Sequence, residues 1–294
     1  MKKILPLLVL IISCSNSDPK LLTEQEYIKF GEGIAKSLKS GNVKKVSNLF
    51  NMTQTFKRLK YQIDSLQLNS SVSSSKWKSF RVELNEDFNL YIESISKLIK
   101  KDGILELSRY YEVDGNPHLI FSIFSKDKGM DFTDFELQPI GNQTFITDYQ
   151  SYNTGIQFSE SFIWNALNKL EFGWKGGEYM DALRELKNAN GYLHRKQPDR
   201  GWVAINRIPE YFLYQSNFQN VKVRIASQLS DSLYVNSLYD WIGSNYDQVG
   251  FRHLKAFDYY SVIGDSTEAS NHLDSLELII GESFLIDKMK QKVK

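Results

Sequence analysis

Cysteine is almost missing from this chain of 294 residues: there is one, Cys14. No disulfide can form within the chain, and no cysteine cluster can hold a metal. Proline is sparse, with six residues in all, which leaves long stretches free to run as helix or strand. An excess of one charge sign is lacking too: 36 Lys and Arg stand against 35 Asp and Glu, and neither sign forms a long block. The basic field that non-specific nucleic-acid binding needs is therefore absent, and no nucleic-acid partner is expected. The four histidines are His118, His194, His253 and His272, and no two stand at metal-ligand spacing on one expected helix. A His-Glu-x-x-His motif, a Gly-x-Ser-x-Gly elbow and a phosphate-cradling glycine loop are all missing. Neither metal nor cofactor is expected, and nothing points to an enzyme. Beyond the N-terminus no segment approaches the ~18 apolar residues of a membrane span. What abounds is aromatic: 16 Tyr and 18 Phe argue for well-filled cores and against disorder.

The lone cysteine has a telling position. Lys2 and Lys3 form a positive start, and Ile4 to Ile12 form an apolar run too short for a bilayer of roughly 20 residues' thickness. Ile11-Ile12-Ser13-Cys14 resembles the bacterial lipobox: two aliphatic residues, a small one, then cysteine. The resemblance implies a signal peptide over 1–13, a diacylglyceryl group on Cys14, cleavage before it, and acylation of the new terminus with a palmitate-like chain. Two or three acyl chains hold a protein on a membrane stably. A polar tether follows over 14–23. Ser15 stands where inner-membrane retention would want Asp, so the resemblance points to the outer membrane of the cell envelope.

Past the tether the chain changes rhythm twice. Tyr27, Phe30, Ile34 and Leu38 make one helix face over 24–40, with Thr23 and Glu26 placed for a capping box and Gly41 to stop it. Val43, Val46, Leu49 and Phe50 continue as a short helix, and residues 67–75 read as a low-complexity loop. From Trp77 through Phe80, Leu84, Phe88, Ile92, Ile95 and Ile99 the apolar groups recur every three or four residues over about six turns. Between 103 and 152 the period falls to two. Strands are expected at 104–113, 118–125, 131–138 and 144–152, joined by turns such as Asp114-Gly115-Asn116-Pro117 and Ile140-Gly141-Asn142-Gln143. Short turns imply an antiparallel meander with one face on the long helix.

Helices followed by such a sheet resemble the NTF2-like α+β fold, so residues 24–158 are expected to form an NTF2-like domain. A strand series ending like Ile146-Thr147-Asp148-Tyr149 and leading into helices also resembles a group of uncharacterised bacterial lipoproteins. From 159 to 294 the pattern is helical. Gly177-Glu178-Tyr179-Met180-Asp181-Ala182-Leu183 resembles the start of the second helix of a tetratricopeptide repeat, with Gly177, Tyr179 and Ala182 at its packed positions. Asp231-Ser232 and Asp265-Ser266 lie 34 residues apart, the tetratricopeptide period. An all-α tetratricopeptide-like domain of two or three degenerate hairpins is expected, and stacked hairpins suit a protein partner.

Two acids are candidates for a pocket, Asp134 and Asp148, because they sit in otherwise apolar strands where burial could raise a carboxyl's pKa. Alternation places Asp134 and Glu136 on one face, expected to be the solvated one. His118, after Pro117, is expected at a surface turn. The expected function is that of a membrane-anchored envelope scaffold, with a ligand-binding or catalytic pocket in the α+β half as the alternative.

Overall fold

The computed structural model describes residues 21–65, 73–126, 129–172 and 177–293. The expected signal segment, Cys14, most of the expected tether and most of the expected 67–75 loop lie outside the described residues.

The first helix, α1 (Glu24–Ser40), opens on the expected capping box. Thr23 Oγ1 accepts from the Glu26 amide at 3.3 Å, and the Glu26 carboxylate accepts from the Thr23 amide at 2.8 Å. Gly41 closes it at φ 76°, a left-handed turn that glycine adopts freely. Next come α2 (Val43–Ser47), α3 (Met52–Ser65) and the long α4 (Ser74–Asp102). Helix α3 carries an apolar stripe at helical spacing, Met52, Phe56, Leu59 and Ile63. Leu59 and Ile63 are fully buried, and Thr55 joins them on that face. The Thr55 hydroxyl is satisfied by the Thr147 carbonyl at 2.9 Å, so a polar group serves at a core position.

Four long strands and one short one form a meander in chain order: β1 (Ile104–Val113), β2 (Asn116–Ser125), β3 (Gly129–Ile140), β4 (Gln143–Ser151) and β5 (Ile156–Gln157), every pair antiparallel. The first turn is tighter than expected. Asp114 and Gly115 both take positive φ, 52° and 78°, as a two-residue Asp-Gly hairpin demands, and Pro117 joins the strand opposite Glu112.

One sheet face meets α1, α3 and α4. Leu105, Leu119, Phe121, Phe135, Leu137 and Ile146 are buried there against Ile34, Leu59, Phe88 and Ile92. Phe88 stacks on Phe50 at 4.0 Å.

The chain is then helical to its end: α5 (Phe158–Phe172), α6 (Glu178–His194), α7 (Pro198–Ile205), α8 (Glu210–Leu213), α9 (Ser216–Ala226), α10 (Asp231–Ser244), α11 (Val249–Ile263), α12 (Ser266–Ile280) and α13 (Phe284–Val293). Helix α6 packs on α7 and α9 and touches α5 only lightly. From α9 to α13 each helix packs on the next in line.

The last three helices cover the second sheet face. Ile120, Phe132 and Tyr152 share a core with Leu254, Phe257, Leu273, Leu276, Leu285 and Ile286. The face of Asp134 and Glu136 is therefore not the solvated one. Alternation places both acids on one side correctly, but period two says nothing about what later helices cover it. The approach is close: a Cβ on Gly250, at the start of α11, would fall 2.3 Å from the Tyr152 ring. Arg109 of β1 donates to the Ile279 carbonyl at 2.7 Å, and also to that of Leu278, at the end of α12.

Candidate functional site

Asp134 sits in β3 opposite Ile120 and is only 6% exposed. Its carboxyl accepts from the hydroxyls of Tyr111 and Tyr152, the latter at 3.4 Å, and meets His118 Nδ1 at 3.1 Å. Tyr111 lies against the His118 ring with centroids 4.8 Å apart, and the Arg109 guanidinium stands over Tyr111. His118 is thus not a surface turn residue. Strand β2 begins two residues earlier than expected, and this places His118 opposite Tyr111 and Glu136, half-buried. Burial pulls its imidazole down, but the hydrogen bond and charge of Asp134 outweigh that, and its pKa is raised. Tyr111 and Tyr152 are pushed far above the usual phenol range, first by burial and then by the Asp134 charge.

A histidine oriented by a buried carboxylate is the arrangement of a general base. Here the second face of the sheet closes over it. An open hollow of about 450 Å³ runs past Arg58, Tyr61, Gln138 and the neighbouring Glu136, yet neither His118 nor Asp134 lines it.

Asp148 is a staple. Its oxygens accept from the Ser159 hydroxyl at 2.5 Å, the Ser159 amide at 3.1 Å, Gln157 Nε2 at 3.1 Å, the Tyr149 amide at 2.9 Å and Arg58 at 3.1 Å. Burial raises its pKa, while Ser159 and Arg58 work against the rise. Placed at the first turn of α5, the carboxylate also meets the positive end of the helix dipole. Arg58 reaches Glu136 at 2.6 Å as well, so one guanidinium ties α3 to β3 and β4. The two acids expected in a pocket are both buried, and their oxygens are occupied by the protein itself.

Gly177 precedes α6 at φ 82°, so its need for glycine is conformational. Tyr179 and Ala182 are buried. The Tyr179 ring meets Phe212, Phe218 and Trp164, which places it among α8, α9 and α5. Cys14, the expected lipidation site, lies outside the described residues.

The fold also joins two histidines that chain spacing kept apart. His253 of α11 and His272 of α12 stand with their Nδ1 atoms 2.9 Å apart, and Tyr260 stacks on His272. Residues 19 apart on different helices leave no periodic signal. Both imidazoles are pulled below their usual value of 6.5, His253 by burial, His272 and Arg252, and His272 by burial and Arg252 against the opposing Glu268. Their sign is that of bases made harder to protonate by folding. The stability they contribute is complete above pH 6.5 and is lost as pH falls through the lowered folded values. A urea midpoint measured from about pH 7.5 to 5 should therefore fall less steeply in the His253→Gln/His272→Gln protein than in the wild type. Equal slopes would show that the pair does not couple to folding.

Among the described residues no group of three or more His, Cys, Asp or Glu is placed to hold a metal ion. No helix among them is long and apolar enough to cross a membrane. The helical half does present large aromatics to the outside. Tyr239 is 68% exposed and Tyr246 is 72% exposed, with Tyr211 and Tyr214 more than half exposed. In comparisons with known proteins, no family model, curated protein or solved structure matches the chain.

Proposed function

We propose that this protein is a lipoprotein of the bacterial envelope, anchored through lipid on Cys14 to the outer membrane, whose helical half holds a protein partner. The observation that carries the partner reading is the exposure of Tyr211, Tyr214, Tyr239 and Tyr246 on the helical half, while Asp134 and Asp148 of the sheet are buried and internally satisfied. Tyrosine is enriched where protein surfaces bind, because it offers a large rigid area with a polar tip. We read the helices of this half as tetratricopeptide-like. Helices α9 and α11 begin at Ser216 and Val249, 33 residues apart, and α10 and α12 at Asp231 and Ser266, 35 apart, close to the 34-residue repeat. We read the sheet with α1 to α4 as NTF2-like, a view supported by bulges after Leu107 and Glu136 of the kind that bend a sheet.

Two measurements test this function. Fractionated cells should show the wild type in the membrane pellet and Cys14→Ser in the soluble fraction, because one substitution removes every acyl chain. Equal membrane retention of the two would end the lipoprotein reading. Photo-crosslinking side chains at positions 239 and 246, in intact cells, should each yield the same discrete protein adduct. A crosslinker at exposed position 32 of α1 should not yield it. Absence of an adduct at 239 and 246, or the same adducts from all three positions, would end the partner reading.

A further inference from the structure

Where α5 meets α6 and α9 the surface folds into a cleft. Its wider part is about 270 Å³ and its narrower part about 20 Å³, and the two share Ile156, Ser161 and Asn217. The wider part falls near the lower bound of ~300 Å³ for small-molecule sites. The narrower part exceeds the ~10–15 Å³ that one water-sized group occupies. Tyr149 and Tyr179 line the wider part, and the Trp164 indole stands at the narrower part, 41% exposed. Between these rings come neutral polar groups, namely Ser161, Asn165 and Asn217, and one carboxylate in each part: Asp87 in the wider and Glu160 in the narrower.

We propose that this cleft binds a neutral polyhydroxylated ligand, a saccharide ring or a short oligosaccharide. Three features select that chemistry. First, Gln215 lines the narrower part with its Nε2 buried and without a hydrogen-bond partner, and a buried donor left unmet is costly. The ligand must therefore bring an acceptor. Second, Asp87 and Glu160 only accept when ionised, so the same ligand must bring donors. A hydroxyl is both, whereas an ammonium group cannot satisfy Gln215. Third, no Lys or Arg is among the described residues that line either part, so a phosphate or sulfate would meet carboxylates, and the Lys169 ammonium that acts on Asp87 is paired with Glu83 at 2.7 Å. Burial raises the pKa of both acids, with added repulsion at Asp87 from Glu83 and at Glu160 from Asp247, while Lys169 opposes the rise at Asp87 and a hydrogen bond with Trp164 opposes it at Glu160. The exposed Trp164 face suits the C–H side of a sugar ring, whereas Tyr149 is stacked between Tyr91 and Phe158 and offers only an edge. The cleft is distinct from Tyr239 and Tyr246, which belong to α10 and the turn after it, while Tyr214 of the partner surface directly precedes Gln215.

The test is calorimetric titration of the full chain, in a polyoxyethylene detergent that has no sugar headgroup. Probes are maltotetraose, cellotetraose, xylotetraose and chitotetraose, with spermidine and inorganic phosphate as charged controls. At least one neutral oligosaccharide should bind, with both controls silent. Trp164→Ala and Gln215→Ala should each weaken binding at least ~10-fold, with thermal midpoints unchanged, and Trp164→Tyr should retain part of it because a ring remains. Silence from all four oligosaccharides up to about 10 mM, binding of spermidine or phosphate alone, or full affinity in Trp164→Ala would overturn the assignment.

Discussion

Asp134→Ala should cost about 3–5 kcal/mol of folding free energy, in the range seen when one member of a buried charged pair is removed. Three groups lose their acceptor at once: the hydroxyls of Tyr111 and Tyr152 and Nδ1 of His118. Tyr152 is left in a place that folding has closed, because α11 to α13 lie over that face, Tyr111 and His118 are left half-buried, and each fully stranded group carries a penalty of about 1–3 kcal/mol. Asp134→Asn keeps one acceptor oxygen and adds a donor, so its loss should be about half as large. The asparagine variant also isolates the charge. His118 owes its raised pKa to Asp134, and a base with a raised folded pKa contributes stability that is complete below 6.5 and is lost as pH rises through the folded value. In Asp134→Asn that alkaline loss should vanish, and the imidazole resonances of His118 should titrate at lower pH than in the wild type. Denaturant unfolding across the pH range, read beside those resonances, checks both parts. A loss under about 1 kcal/mol in the alanine variant would mean that the cluster is not closed from solvent as the packing requires.

The elements with many repeats of one period were legible in the chain itself. Helix α4 announces itself through Phe80, Leu84, Phe88, Ile92, Ile95 and Ile99, and the four long strands through alternation and their turn residues. Segments that break period were not. Strand β5, two residues long, has no period to show; helix α3 is the exception, because its stripe of Met52, Phe56, Leu59 and Ile63 is periodic and was there to be read. The candidate site shows the same division. That Asp134 and Asp148 are unusual was visible from their apolar surroundings. That Asp134 is clamped by two tyrosines and a histidine was not, because Tyr111 and Tyr152 flank it at distances in sequence that only strand register and a distant helix cover bring together. The His253–His272 contact depends on how α11 and α12 turn toward each other, which neither helix encodes alone. Periodicity gives the faces of an element. It does not give the partner of each face when that partner lies more than a hundred residues on, as Leu254 and Leu276 do from Ile120.

A chain ended after Gly264, which removes α12 and α13, should not fold to the native sheet. The reason is quantitative. Leu273, Leu276, Ile280, Leu285, Ile286 and Met289 are all buried in the second core, and side chains of that size contribute roughly 1.5–3 kcal/mol each when fully buried. Together that is on the order of 10 kcal/mol, as large as the whole stability of ordinary domains at about 5–15 kcal/mol. The truncated chain would also bare Ile120 and Phe132 on a sheet whose other face is already committed to α1 and α4, and release Arg109 from its two carbonyls. A chain ended at 158 loses α11 as well and should fare worse. Expression of each form, followed by ultracentrifugation and thermal melting, should give aggregate or a broad transition in place of the cooperative melt of the full chain. Leu276→Ala, which leaves every helix present, should retain that cooperative melt at a cost of about 2–5 kcal/mol. A soluble 21–158 form that melts cooperatively would mean that the sheet needs only its first layer. The burial of Asp134 would then be a property of docking and not of the fold, and the loss forecast for Asp134→Ala would have to shrink with it.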